Sequence, residues 1–394
     1  MTIRLSKRVA QVKPSATIAM SMKAAELRAQ GRDIISLSMG EPDFDTPEHI
    51  RTAAIEAIQQ GQTRYTAVDG TAALKEAIID KLQRDNHLAY EAGEILVSNG
   101  AKQAIYNLLQ ATIDPGDEVI IPAPYWVSYP DMVRLADGEP VILKTTPDSQ
   151  YLISPAQLAA SLTEHTRMLR LNSPSNPTGQ AYSRKQLAEL GEVLLEHPRV
   201  LICSDDIYEH IWWAGEDFAS IGEVVPALKE RLVVINGVSK AYAMTGWRIG
   251  YAAGPAKVIK EMRKVQGQST SNPCSVSQAA AVAALAGDQA CVRDMCTAFR
   301  ARHDWLQPAL DALPGVSCTP GKGAFYLFAD CSGAIAALGL ADDLALAEHL
   351  LEHAGVASVP GSAFGAPGHL RLSFACALET LEQAVERIEQ ALCT

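Results

Sequence analysis

Between about residues 94 and 254 the chain sets short apolar runs against amphipathic stretches. The runs are Ile95–Ser98, Val119–Pro122, Val141–Lys144, Arg167–Asn172, Val200–Ser204, Leu232–Asn236 and Ile249–Ala253. They are nearly continuously apolar, as strands buried on both faces are, because neither face has to meet water. Lys102–Thr112 and Arg184–His197 instead repeat apolar residues at helical spacing. Strand alternating with helix predicts βαβ units and a mostly parallel sheet of seven strands between helices. Beyond Pro255 the pattern turns helical to about Asp311. A smaller αβ set follows: Ala324–Ala329, a helix near Asp342–His353, Val356–Val359, Leu370–Phe374 and a last helix over Leu378–Leu392. The expected fold is therefore α/β, with a large domain and a smaller αβ domain built from the N- and C-terminal parts. Its expected division is 1–45 (arm and part of the small domain), 46–288 (large) and 289–394 (small).

Composition narrows the function classes. At 394 residues, 48% hydrophobic and 20% charged, the chain has ample material for a core. A formal net charge of −11 argues against a nucleic-acid partner, which needs a basic face. It leaves room for a local basic pocket that takes a small anion. No apolar run approaches the roughly 18 residues of a membrane span; Ala279–Ala286 is far too short. The eight cysteines are scattered without a CxxC, which predicts reduced thiols, a cytoplasmic protein and no metal site. The first 25 residues are basic, yet they hold Pro14 and no apolar core, so a structured arm is expected rather than a secretory signal.

The candidate chemistry sits where strands end, which is where open α/β sheets bind ligands. Leu232–Asn236 runs into Gly237-Val238-Ser239-Lys240. A lysine on such a turn can be desolvated, which frees its amine for imine chemistry. Arg248 follows eight positions later (248 − 240), within reach of the same pocket and suited to gripping a phosphate. Val200–Ser204 ends in Asp205-Asp206-Ile207-Tyr208. A buried carboxylate there needs a cation, such as a protonated ring nitrogen, and Tyr208 could donate to an oxygen of that ring. A helix cap and a packed tyrosine explain the pair equally well. Arg167–Asn172 leads to Ser173-Pro174-Ser175-Asn176-Pro177, a rigid loop that fixes Asn176, with a cis bond at Pro177 plausible. Asn99-Gly100-Ala101-Lys102 opens a helix whose first amides attract a phosphate. Trp126 offers a plane for stacking or a core filler, and Arg371 in Leu370–Ser373 either snorkels or meets a carboxylate.

Taken together and in order, these segments resemble the fold-type I, class I aminotransferases nearly end to end. The most specific text is Ser204-Asp205-Asp206-Ile207-Tyr208, Ser239-Lys240 and Met244-Thr245-Gly246-Trp247-Arg248-Ile249-Gly250. Lys13-Pro14-Ser15-Ala16-Thr17, the Gly40–Pro47 segment and the Ala123–Pro130 segment bring the likeness closest to bacterial aspartate aminotransferases, a branch that includes aspartate/prephenate enzymes. The resemblance implies pyridoxal 5′-phosphate held as a Schiff base by Lys240, which also shuttles the proton. It implies Asp205 on the ring nitrogen, Tyr208 and Asn176 on the ring oxygen, and Trp126 stacked on the ring and lining the substrate site. The phosphate would lie on Ala101, Lys102, Ser239 and Arg248, with Tyr65 reaching in from the other subunit of a homodimer. Arg371, helped by Gly40 and Asn176, would take the substrate α-carboxylate. One departure is Gly237, where many relatives carry a second serine; another is Asp206, where glutamate is common.

For a dicarboxylate the resemblance supplies Lys102 as the second cation, with polar groups from Gln266–Thr270 of a partner. Lysine is a point charge rather than a fork, so acceptance should be broad. Lys13 is a candidate for the carboxylates of prephenate, or else a solvated arm residue. The implied reaction is L-aspartate + 2-oxoglutarate to oxaloacetate + L-glutamate. The alternatives are a prephenate or aromatic aminotransferase and a lyase on the same cofactor.

Overall fold

A computed structural model describes residues 3–12, 14 and 16–393. The large sheet is built from β1 (Ile95–Ser98), β2 (Glu118–Ala123), β3 (Glu139–Lys144), β4 (Thr166–Asn172), β5 (Leu201–Asp205), β6 (Leu232–Gly237) and β7 (Gly250–Ala253). Its order is β1-β7-β6-β5-β4-β2-β3. Only β7 opposes the rest, pairing antiparallel with β1 and β6. All seven expected strands are present, with ends shifted by one or two residues.

Successive strand residues face opposite sides of a sheet, and both sides here are covered. Val97, Ile120, Leu169, Ile202 and Val234 point into one core with Ile50, Leu74 and Leu82. Leu96, Val119, Met168, Cys203, Val233 and Ala252 point into the other, with Leu108 and Met262 of the helices Ala101–Thr112 and Ala256–Gly267. The inner strands therefore have no solvent-facing side, which is why the runs read as nearly unbroken, while the edge strand β3 is half-buried.

A second, antiparallel sheet contains β8 (Ser317–Cys318), β9 (Tyr326–Asp330), β10 (Val359–Pro360) and β11 (His369–Ser373), in the order β10-β11-β9-β8. It packs with the helix Leu378–Leu392 around Phe299, Phe325, Phe374 and Leu381. Two expected elements differ. The run Val356–Val359 is split between sheets: Val356–Ala357 pairs with Ile35–Ser36, and Val359 belongs to β10. The helix near Asp342–His353 is α only over Asp343–His349 and widens to a π-turn over Leu350–Ala354 before Gly355.

The pairing of Ile35–Ser36 brings the N-terminal segment alongside the C-terminal sheet, and Ser373 N–H donates to Leu37 O at 2.7 Å. Residues 38–40 are thereby laid against β11. The basic N-terminal segment forms a short exposed helix, Lys7–Ala10. Among the described residues no helix is long and apolar enough to cross a membrane, and no cluster suits a metal ion. All eight cysteines are free thiols.

A buried ionic network braces the turn after β5. Lys81 donates to Glu209, which also accepts from Asn86 Nδ2 at 2.6 Å and Asn236 Nδ2 at 2.7 Å. Burial opposes the charge on Glu209, but Lys81, His210 and Asn86 hold its carboxyl down at about 2. Glu209 is the residue after Tyr208, so this network fixes the backbone that carries the site. Glu209→Ala would strand a buried Lys81, which costs about 3–5 kcal/mol. The chemical-denaturation midpoint should fall accordingly, while Lys185→Ala in an exposed pair with Glu189 should shift stability by less than about 1 kcal/mol. Equal midpoints for the two variants would contradict the role of the network.

Candidate active site

The carboxyl ends of β1, β2, β4, β5 and β6 open on one cleft of about 390 Å³. Its walls include Gly40, Ala101, Lys102, Trp126, Asn176, Asp205, Tyr208, Ser239, Lys240, Arg248 and Arg371. Eleven candidates drawn from seven separate stretches of sequence thus meet in one place. Tyr65 does not: it is 91% exposed and lies away from the cleft of its own chain. Lys13 lies outside the described residues.

Lys240 stands three residues past β6, and its Nζ donates to Gly40 O at 2.5 Å. Burial, reinforced by Arg371 and Arg248, brings the amine down to about 8 against the pull of Glu41 and Asp205. Asp205 ends β5 and is buried. Its Oδ2 accepts from Tyr129 Oη at 2.6 Å and from Arg170 Nη2 at 3.0 Å. Its Oδ1 is buried without a partner. Burial raises this carboxyl above its ordinary range even though Arg170, Tyr129 and the Ile207 amide oppose the shift. A cationic donor at Oδ1 would satisfy the orphaned oxygen and reverse the shift.

Arg371 lies mid-strand on β11, 2% exposed. Nη1 donates to Asn176 Oδ1 at 3.0 Å and Nη2 to Ser38 O at 2.6 Å, while Nε has no partner. No acid pairs with it among the described residues, so a buried guanidinium is left to meet an incoming carboxylate. Tyr208 shares a 3.0 Å hydrogen bond with Tyr326, and burial holds its phenol well above the usual range. The Asn176–Pro177 bond is cis. Trp126 packs edge-on against Tyr129, with Lys102 Nζ 4.7 Å from its ring centroid. Burial and Arg248 lower the Lys102 amine.

The phosphate-sized end of the cleft is shaped by backbone. Ala101 and Lys102 begin a helix, so their amides have no acceptor within it. Gly250, which pairs with both Ser98 and Gly237, lets that helix start approach: a Cβ there would lie 2.1 Å from Ala101 N. The same closeness accounts for Gly237, where a Cβ would be 2.9 Å from Gly250 Cα. Arg248 closes this end in a left-handed conformation (φ 56°), donating to Thr245 O at 3.0 Å. The residues fit pyridoxal phosphate: amides and an arginine for its phosphate, an orphaned carboxylate oxygen for its ring nitrogen, and a deprotonable amine.

Several participants escaped sequence reasoning. Tyr129, Arg170 and Tyr326 hold Asp205 and Tyr208 but belong to none of the motifs' chemistry. Arg170 carried a legible signal, a charge in mid-run of a buried strand. Its register partner is Cys203, two residues before Asp205 and on the same face. Gln266, expected to serve a partner's site, is instead fully buried and bonded to Ser98, Asn107 and the Val68 and Val97 carbonyls.

The chain matches the family model "Aminotransferase class I and II" over residues 32–388. It is 54% identical to the aspartate/prephenate aminotransferase of Nitrosomonas europaea, over 99% of this chain and 100% of that one. It is 50% identical to the aspartate aminotransferase of Geobacillus stearothermophilus, over 98% of each. Among solved structures it is similar to the aspartate aminotransferase of Rhizobium meliloti (TM-score 0.95, 45% identity, 100% and 99% coverage). It is also similar to that of Thermus thermophilus with maleate (TM-score 0.93, 45% identity, 99% and 100% coverage).

Because the neutral amine is the nucleophile, labelling of Lys240 by a small aldehyde in the cofactor-free chain should rise with pH about a midpoint near 8. Peptide-resolved mass spectrometry across pH reads it; a midpoint at the ordinary 10.5 would contradict the desolvated pocket.

Proposed function

The chain belongs to the class I and II aminotransferases, and from that footing we propose that it is a pyridoxal-phosphate enzyme moving the amino group of L-aspartate to 2-oxoglutarate. One observation carries the substrate reading. In a protein of net charge −11, the described residues lining the cleft include four cations, Lys102, Lys240, Arg248 and Arg371, against two acids, Glu41 and Asp205. With Lys240 given to imine chemistry and Arg248 to a phosphate, two cations remain. Arg371 suits an α-carboxylate and Lys102 a second carboxylate. The Thermus thermophilus relative is described with maleate, itself a four-carbon dicarboxylate, and the named relatives act on aspartate.

When bound, pyridoxal phosphate supplies an aldehyde for the substrate amine and a cationic ring that draws electron density from Cα. The chain's residues do the remainder. Arg371 orients the substrate by a fork braced through Asn176 and Ser38, which fixes the direction in which its Cα hydrogen points. Lys240, once displaced, is a neutral amine of lowered basicity beside that position and moves the proton as general base and acid. Asp205 is the partner of the ring nitrogen, while Tyr208 and Asn176 face the ring oxygen. The backbone amides of Ala101 and Lys102, with Ser239 and Arg248, hold the phosphate. Tyr65, exposed here, fits the expectation that it serves the second subunit of a homodimer.

Prephenate is a second acceptor we propose, on the ground that the Nitrosomonas europaea relative carries both names. Lys102 supports it, since a point charge resting on an aromatic face discriminates less than a bidentate arginine.

Adding aspartate or glutamate to the cofactor-loaded protein should abolish its lysine-dependent visible absorption, and 2-oxoglutarate should restore it. Failure with both acids while phenylalanine succeeds would sink the aspartate reading. Lys240→Ala should keep cofactor yet lose about 10²–10⁴-fold or more in turnover. Lys102→Met should weaken aspartate far more than phenylalanine; equal losses would remove Lys102 from side-chain recognition.

A further inference from the structure

Asp205 has two oxygens in different circumstances, and the difference traces to one residue outside every motif. Arg170 sits on β4, 2% exposed, between Met168 and Asn172 on its face of the strand. Its Nη2 reaches Asp205 Oδ2 at 3.0 Å and its Nη1 reaches Cys203 Sγ at 2.9 Å. Its guanidinium lies 3.7 Å from the centroid of the Tyr129 ring, whose hydroxyl donates to the same Oδ2. A buried cation is expensive, and neither packing nor the thiol compensates it. The carboxylate does. Arg170 and Tyr129 thus take one oxygen of Asp205 and leave the other, Oδ1, buried without a partner on a residue that lines the cleft.

We propose that Arg170 is a positioning residue for the transamination: a permanent counter-cation behind Asp205 that keeps the carboxylate ionised and so leaves the shared proton on the cofactor's ring nitrogen. The inference rests on the pyridoxal-phosphate reading above. Between Oδ1 and a ring nitrogen one proton has two places, giving either carboxylate with cationic ring or carboxylic acid with neutral ring; charge and atoms balance in both. Arg170 touches the carboxylate, whereas a ring met by the opposite oxygen is farther from it. Its attraction for the charged carboxylate therefore exceeds its repulsion of the charged ring, and the ionic arrangement is favoured. Burial works the other way, raising the carboxyl of Asp205. The other ionisable groups near Asp205 are Cys203, Tyr208, Asp206 and Lys240. Of these only Lys240 is a cation when protonated, and it gives up that charge in the reaction. Arg248 and Arg371 also line the cleft, but among the described residues Arg170 is the permanent cation that pairs directly with Asp205.

The test uses the full chain loaded with pyridoxal phosphate labelled with ¹⁵N in the ring, reading the nitrogen's chemical shift at neutral pH. The wild type should sit at the protonated extreme. Arg170→Gln, which keeps a donor but loses the charge, and Arg170→Met should move the shift toward the unprotonated extreme. Arg170→Lys should restore it. Turnover should follow, with kcat lower by tenfold or more in the two neutral variants and KM for aspartate within about threefold. Should neither neutral variant fold, Tyr129→Phe, which removes only a hydroxyl, should move the shift the same way to a lesser extent. Unchanged shifts in the folded variants would overturn the proposal and leave Arg170 a packing residue. A wild type that takes up no labelled cofactor on Lys240 would instead overturn the reading on which it stands.

Discussion

A carboxylate buried at the tip of a central strand is the constraint around which this molecule is organised. Asp205 can remain charged out of water only if cations and donors surround it. On one side the chain provides them, with Arg170 one strand away and Tyr129 at the start of the helix that follows β2. On the other side Oδ1 has no partner among the described residues, so a cationic donor such as the proposed ring nitrogen would be stabilised there. The position of Lys240 follows from the same sheet: β6 neighbours β5 in parallel register, so the turn that carries the amine stands beside the carboxylate. Arg248 follows too, since β7 returns antiparallel and starts at that edge.

The second sheet answers a different need. It fixes a cation, as the proposed grip on a substrate α-carboxylate requires: Arg371 is locked within β11 by Asn176 from the large sheet's loop and Ser38 from the N-terminal segment. Three remote parts of the chain therefore converge on one guanidinium. Its lack of an acidic partner is a local instability, offset by the surrounding packing of Tyr326 and Phe364 against it. Sites that bind anions are built this way, with the protein's own counter-charge withheld for the ligand.

Much of this was legible in the chain itself. The strand periodicity is strong because both faces of the sheet are largely dry, and most motif residues sit at or within a few residues of a strand's end, where position in sequence becomes position in space; Arg371, in mid-strand, is the exception. What was not legible depends on contacts between strands. Arg170 stands out as a charge within a mostly apolar run, but nothing in the text says that its register neighbour is Cys203 or that Asp205 faces the same side. Tyr326 likewise gave no sign of its bond to Tyr208. For Gln266 the resemblance implied a place in a partner's pocket, whereas its side chain closes four hydrogen bonds inside its own chain. The split of Val356–Val359 between two sheets escaped for a related reason: a run as short as Val-Ala-Ser-Val carries no mark of a change in partner.

The central claim is that one lysine amine, desolvated beside a buried carboxylate, is where the cofactor is joined to the chain. Borohydride reduction of the cofactor-loaded protein, followed by digestion and peptide mapping, reads that bond directly. The account predicts a pyridoxyl group on the peptide containing Lys240 and on no other lysine. A label on a different lysine, with Lys240 recovered unmodified, would contradict it.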